Sequence, residues 1–215
     1  VIGAVRTGKS TFIKRFMDSL VLPNIQDEYT RLRAKDELPQ SASGKTIMTT
    51  EPKFVPNEAI EITLDNNLKF KTRLVDCVGY LVDNAIGYLE DDLPRMVKTP
   101  WSDEEIPFET AAEIGTKKVI EEHSTIGILI TTDGSITDIP REDYIKAEER
   151  VVSELKALNK PFVIILPSKA LNIKLYTFKP VIIINFRRIY YICTSLRSVS
   201  SQKPFALRRS VLLYY

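Results

Sequence analysis

The sequence predicts an α/β fold, a doubly wound sheet held between helices in a three-layer sandwich. Three observations predict it. A glycine-rich turn separates the first residues from an amphipathic helix. An apolar strand ends in Asp76-Cys77-Val78-Gly79. Two later buried strands each follow a helix-length amphipathic stretch. Strands alternating with helices form parallel sheets, and such sheets bind ligands at the carboxyl ends of their strands.

Gly3, Gly8, Lys9 and Ser10 occupy the fixed places of G-x-x-x-x-G-K-[ST], the P-loop pattern of nucleoside triphosphatases. The spacing lets successive backbone N–H groups point inward at phosphate oxygens. Gly3, Ala4, Val5, Arg6, Thr7, Gly8, Lys9, Ser10 and Thr11 are therefore the expected phosphate-binding set. Lys9 is expected to reach the β- and γ-phosphates, and the Ser10 hydroxyl to ligate Mg²⁺. A helix starting at Lys9 adds its positive end. The periodicity predicts that helix over 9–21, with Phe12, Phe16 and Leu20 on one stripe, Ile13 and Met17 beside it, and Pro23 as the stop. Arg6 has three readings: contact to phosphate, contact to a neighbouring subunit, or a solvated basic position.

A polar connection is expected through Lys45, then strands near 59–64 and 69–76 joined by Asp65-Asn66-Asn67, which has turn chemistry. Residues 80–108 lack clear periodicity and carry Pro94, Pro100 and Pro107, so a long connection is expected there. Helices are expected over 109–122 and 141–158, the second with Tyr144, Ala147, Val151, Leu155 and Leu158 on one face. Ile126–Ile130 and Phe162–Ile165 read as buried strands.

Arg73-Leu74-Val75-Asp76-Cys77-Val78-Gly79 is an apolar strand running into D-x-x-G, about 65 residues after the glycine-rich loop. At that distance Asp76 is the expected Mg²⁺-side carboxylate, acting through water. Gly79 is expected to set a backbone N–H at the γ-phosphate. Between the two motifs, Thr49 or Thr50 is the expected γ-phosphate sensor and Mg²⁺ contact; sequence does not choose between them. Tyr80 stands where many GTPases carry the water-orienting Gln, so hydrolysis is expected to be slow or to use another group. Asn-Lys-x-Asp, the guanine reader, is absent; its expected place holds Leu166-Pro167-Ser168-Lys169. That disfavours guanine and leaves ATP. A structural role is expected for His123, and loop packing for Trp101.

The 215 residues suit one α/β domain with a real core. The net charge of +2 hides a break: residues 1–165 hold 21 basic and 28 acidic residues, whereas residues 166–215 hold 9 basic and no acidic ones. Cys77 and Cys193 fit a reducing compartment better than a disulfide scaffold. No apolar run reaches the roughly 18 residues of a membrane span. The chain opens at Val1 without Met, so a natural start further upstream is expected.

Several segments resemble the stage IV sporulation protein A family. They are Gly3–Lys14, Asp36–Ser41, Gly44–Phe54, Leu74–Tyr80, His123–Gly127, Ile130–Gly134, Ala147–Val151 and Lys160-Pro161-Phe162. The resemblance covers about residues 1–165. It implies a P-loop protein related to translation-factor-type GTPases that binds and hydrolyses ATP. It further implies a spore-coat morphogenetic protein of endospore-forming bacteria, made in the mother cell. That protein assembles into a static polymer over the forespore as the basement layer of the coat. The implied partners are further copies of itself, stage V sporulation protein M, other coat proteins and the forespore membrane surface, with no nucleic acid. By motif matching Lys9 carries the Walker A role, Asp76 the Walker B role, and Thr49 or Thr50 the sensor role.

The expected division is therefore a nucleoside triphosphatase domain over 1–165, clipped at its start, and a basic tail over 166–215 that departs from the family. The tail is expected to be an out-of-frame continuation, with a genuine membrane-surface tail as the alternative. By the resemblance, the family's middle and C-terminal domains are expected to be missing from this sequence. Two other functional readings stand beside the assembling ATPase: a small GTPase-like switch, and a nucleotide-binding scaffold without turnover.

Overall fold

A computed structural model describes residues 1–39, 51–64, 68–82, 89–90, 93–137, 139–168, 181–186 and 189–196. Thr49 and Thr50 lie outside the described residues, as does the Asp65-Asn66-Asn67 turn.

The first residues enter the sheet by single parallel bridges, Ile2 to Leu129 and Ala4 to Tyr80. Helix α1 (Lys9–Phe16) follows and continues as a wider π-helical turn, Met17–Val21, and a short 3₁₀ turn, Leu22–Asn24. The helix over 9–21 is thus present, but its buried line differs from the expected stripe. Phe12, Ile13, Met17 and Val21 are buried, while Phe16 and Leu20 are half-buried. The π turn carries more residues per turn than an α-helix and rotates Val21 inward in place of Leu20. Phe16 instead packs on the Phe12 ring, with centroids 5.9 Å apart.

The expected polar connection holds a second helix, α2 (Glu28–Asp36). The Asp27 carboxylate caps it by accepting from the Thr30 N–H at 2.7 Å. Only Ala34 is buried on this helix, so it has no apolar stripe to betray it in the sequence. Strands β1 (Lys53–Leu64) and β2 (Leu68–Asp76) pair antiparallel. β1 starts earlier than expected, because a register shift between Val55 and Ile60, around Pro56, breaks its alternation.

The expected irregular connection over 80–108 contains two small antiparallel pairs. One is β3 (Leu89–Glu90) with β4 (Leu93–Pro94); the other is β5 (Met96–Thr99) with β6 (Ser102–Pro107). Short strands carrying Pro and a register shift leave little period-2 signal. Helix α3 (Phe108–Lys118) ends in a π-helical turn, Val119–His123. β7 (Gly127–Ile130), α4 (Arg141–Ala157) and β8 (Phe162–Ser168) follow close to their expected places.

β7 and β8 run parallel, and a hairpin of β9 (Val181–Phe186) and β10 (Ile189–Leu196) adds antiparallel to β8, giving the order β7-β8-β10-β9. The tail segment therefore contributes two strands to the sheet edge.

Two apolar clusters divide the core. One joins Ile2, Ala4, Val75, Tyr80 and Leu129 to Phe108, Ala111 and Ile120 of the α3 region and to Tyr144, Val151 and Leu155 of α4. The other joins Leu74, Ile130 and Ile165 to Phe12, Ile13, Met17 and Val21 of the first helix and to Ala34 of α2. Neighbours such as Leu74 and Val75, or Leu129 and Ile130, fall in different clusters, as the period-2 alternation of a strand requires. A buried Leu touches many atoms that relax only partly when it is truncated. Leu129→Ala is therefore expected to cost about 2–5 kcal/mol. Leu93, 68% exposed, should change stability by less than about 0.5 kcal/mol on the same substitution. Denaturant unfolding of the two variants checks this pair.

Candidate functional site

The glycine-rich loop lies at the carboxyl end of the first parallel segment, as the motif requires. Gly8 caps α1 in a left-handed conformation (φ 88°), and the helix's first bond runs from Phe12 N–H to Gly8 O at 2.9 Å. Arg6 also has positive φ, 66°, an uncommon state for a side chain with a Cβ.

Two close approaches decide the architecture of the site. A Cβ on Gly3 would lie 2.2 Å from Ile130 O of β7. A Cβ on Gly79 would lie 2.2 Å from Gly3 O and 2.6 Å from Lys9 Nζ. Both glycines have positive φ, so any other residue meets strain as well as a clash. The Asp76–Gly79 stretch and the glycine-rich loop are thus in backbone contact. Tyr80 completes the clasp: its N–H donates to Gly3 O at 3.3 Å, and its carbonyl accepts from Val5 N–H at 2.9 Å.

Lys9 is buried at 6% exposure, and its ammonium donates to Ala4 O at 2.6 Å and to Gly3 O at 3.5 Å. Burial lowers its pKa from 10.5 to about 8, with the Asp76 charge opposing the shift. Ser10 Oγ donates to Asp76 Oδ2 at 2.5 Å. Asp76 Oδ1 is buried with no hydrogen-bond partner. A buried, unpartnered carboxylate oxygen beside a hydroxyl is a hard-oxygen donor pair. It suits Mg²⁺, which takes few protein ligands and completes its shell with phosphate and water. The residues present therefore fit the ion that the motif implies. Among the described residues no group of three or more His, Cys, Asp or Glu could by itself hold a metal.

Gly3, Ala4, Val5, Arg6, Thr7, Gly8, Lys9, Ser10 and Thr11 thus lie on one loop and helix start, with Asp76 and Gly79 against it. Thr7 turns inward and donates to Ala4 O at 3.0 Å, which stiffens the loop. The Tyr80 side chain points away from the loop and donates to a Glu154 carboxylate oxygen. Burial, and then that carboxylate, push its phenol well above the ordinary range. It therefore cannot replace a water-orienting Gln. Sequence reasoning missed the turn after β7. There Gly134 N–H donates to Thr132 Oγ1, Ser135 N–H donates to Asp133 Oδ1, and Ile136 comes to 3.7 Å from where a Gly8 Cβ would sit. The short side-chain turns of Thr132-Asp133-Gly134 were its available signal.

At the place expected for a base-reading loop, β8 instead continues as strand through Ser168, and Lys169 lies outside the described residues. His123 stacks edge-on to Phe54 at 5.5 Å, and Trp101 lies where a Cβ on Gly115 would come within 3.0 Å of its ring; both are packing contacts. No helix among the described residues is long and apolar enough to cross a membrane.

Two outcomes follow from this geometry. Gly79→Ala should lower the melting temperature and weaken triphosphate binding at least tenfold, read by calorimetry and by titration with a non-hydrolysable nucleotide. Because Lys9 binds its proton less tightly when folded, its burial costs stability below pH 8, and that cost disappears as pH rises toward 10.5. Lys9→Met should therefore stabilise the ligand-free protein by up to about 3 kcal/mol near pH 7. The advantage should shrink steadily between about pH 8 and pH 10.5 in paired unfolding experiments.

The family model described as stage IV sporulation protein A, ATPase domain, matches residues 1–178. Stage IV sporulation protein A of Bacillus anthracis is 66% identical over 166 residues, which is 77% of this chain and 34% of that protein. The Bacillus subtilis (strain 168) protein of the same name is 64% identical over 168 residues, 78% of this chain and 34% of its own length. That of Clostridioides difficile (strain 630) is 58% identical over 166 residues, again 77% and 34%. The chain spans about a third of the length of these curated relatives. No solved structure matches it significantly.

Proposed function

Since the chain belongs to the stage IV sporulation protein A ATPase-domain family, we propose that it binds and hydrolyses ATP and serves a self-assembling spore-coat protein. The family's domain implies nucleotide binding by an α/β fold. The three-layer P-loop sandwich, of the kind related to translation-factor GTPases, is the finer reading. It is supported by parallel strands meeting at the glycine-rich loop and by apolar clusters that alternate along them.

One observation carries the catalytic reading: a buried Lys9, a Ser10–Asp76 pair and Gly79 converge on one loop. Lys9 and the loop N–H groups would hold the phosphates, and Ser10 and Asp76 would hold Mg²⁺. When bound, the ion neutralises charge on the phosphate oxygens. The Lys9 ammonium, held on Ala4 O by a bond to its own loop, would exchange that carbonyl for phosphate oxygens. Gly79, in contact with Lys9, would offer its N–H at the γ-phosphate. Thr49 or Thr50 is the proposed sensor and Thr49 a proposed Mg²⁺ contact. Catalysis of this kind is positioning and electrostatics, with water as the nucleophile.

ATP is the proposed nucleotide, because no carboxylate in Leu166-Pro167-Ser168-Lys169 could accept from a guanine amino group. We assign the chain to the mother-cell cytoplasm at the outer forespore surface, as part of a polymer forming the basement layer of the coat. Its proposed partners are further copies of itself, stage V sporulation protein M, other coat proteins and the forespore membrane surface, without nucleic acid. Residues 1–165 are the proposed ATPase domain and 166–215 a divergent tail.

Phosphate release with Mg²⁺ and either ATP or GTP tests the reading. Turnover should prefer ATP and fall at least a hundredfold in Lys9→Ala and in Asp76→Ala. GTP preference would instead favour a regulatory switch. Binding without turnover in folded protein would favour a scaffold, the reading to which the outward-turned Tyr80 hydroxyl lends weight.

A further inference from the structure

Tyr80 is 2% exposed and bound on both of its sides. Its backbone pairs with Gly3 and Val5 of the phosphate loop. Its hydroxyl donates to Glu154 of α4, and the Arg150 guanidinium lies over its ring, 4.8 Å from the centroid. Arg150 in turn makes a two-pronged pair with Glu113 of α3 and reaches Glu154 at 3.3 Å. Through this one residue the phosphate loop is tied to both helices of its face. A Phe among aliphatic neighbours would fill the same space without burying a hydroxyl against a carboxylate, so packing alone does not call for this arrangement. Directional bonds, unlike apolar packing, hold a ring and its backbone in a single orientation.

The neighbouring residue makes that orientation matter. Gly79 is pressed between Gly3 O and the Lys9 ammonium, with no room for a methyl group. A shift of Tyr80 by a fraction of an ångström displaces Gly79 against both. We infer that Tyr80, gripped by Glu154 and by an Arg150 that Glu113 braces, is a positioning residue that sets Gly79 and Lys9 for phosphoryl transfer. The α3–α4 contact thereby controls the rate of the step rather than the affinity for nucleotide. The inference rests on the ATP-hydrolysing reading above. The raised pKa of Tyr80 is consistent with it, because the phenol stays protonated and able to donate at any working pH.

The test uses the full chain with Tyr80→Phe, which removes only the hydroxyl, Glu154→Leu, which removes the acceptor at the more exposed end of the bond, and the double variant. Single-turnover hydrolysis at saturating Mg²⁺ and ATP should fall about tenfold or more in each single variant. Affinity for a non-hydrolysable ATP analogue should stay within about twofold of wild type, and the double variant should be no slower than the slower single one. Should Tyr80→Phe melt far below wild type, Glu154→Leu carries the comparison. Single-turnover rates within twofold of wild type would overturn the inference, as would affinity and rate falling together. Wild-type protein that binds ATP without hydrolysing it would sink the underlying reading, and the inference with it. Turnover lost in Lys9→Ala but kept in Tyr80→Phe would sink the inference alone.

Discussion

The structure depends on how closely three pieces of backbone can approach around one buried ammonium. Gly3 lies against β7, Gly79 lies against Gly3, and Lys9 is enclosed between them with Ala4 O as its nearest partner. Removing a cation from water is costly unless it is paired, and two neutral carbonyls, Ala4 O at 2.6 Å and Gly3 O at 3.5 Å, compensate only in part. The lowered pKa of Lys9 expresses that deficit. On the proposed reading, a nucleotide's phosphates would offer what the loop lacks, negative charge beside the buried ammonium. The ligand-free protein thus carries a local instability that a bound nucleotide would relieve, a common trade between stability and function.

The same constraint sets the role of the surrounding elements. β7 supplies the carbonyl that excludes a side chain from Gly3, and β2 carries Asp76 to the Ser10 hydroxyl. α3 and α4 meet at the Arg150–Glu113 pair, and the α4 contacts to Tyr80, from Glu154 and Arg150, hold the chain just after Gly79. Each contact spans a large sequence separation, yet all of them converge on the end of one strand. Loops at strand ends are the usual place for chemistry in such sheets, because the sheet fixes their positions while leaving their sequences free.

Much of this was legible in the sequence where chemistry needs a fixed residue at a fixed spacing. The Gly3–Ser10 loop, Asp76 with Gly79, and the α4 face of Tyr144, Ala147, Val151 and Leu155 fall into this group. Elements with little apolar contrast were not legible. α2 buries only Ala34, and β5 and β6 are short and interrupted. The inward line of the first helix was misjudged because its π turn changes the residue period after Phe16. The clasp of Tyr80 was also invisible, since Glu113, Arg150 and Glu154 are ordinary helix-surface residues until the fold brings them together.

On the function proposed above, Lys9 is held in reserve by its own loop and would transfer to a bound triphosphate. The most direct measurement follows the ionisation of the Lys9 side chain by NMR, with and without a non-hydrolysable Mg²⁺·ATP analogue. On this reading the Lys9 pKa should be about 8 in the free protein and rise clearly on binding, as phosphate charge replaces the Ala4 carbonyl. An analogue that binds while Lys9 still titrates near 8 would contradict it, because the ammonium would then not be contacting phosphate.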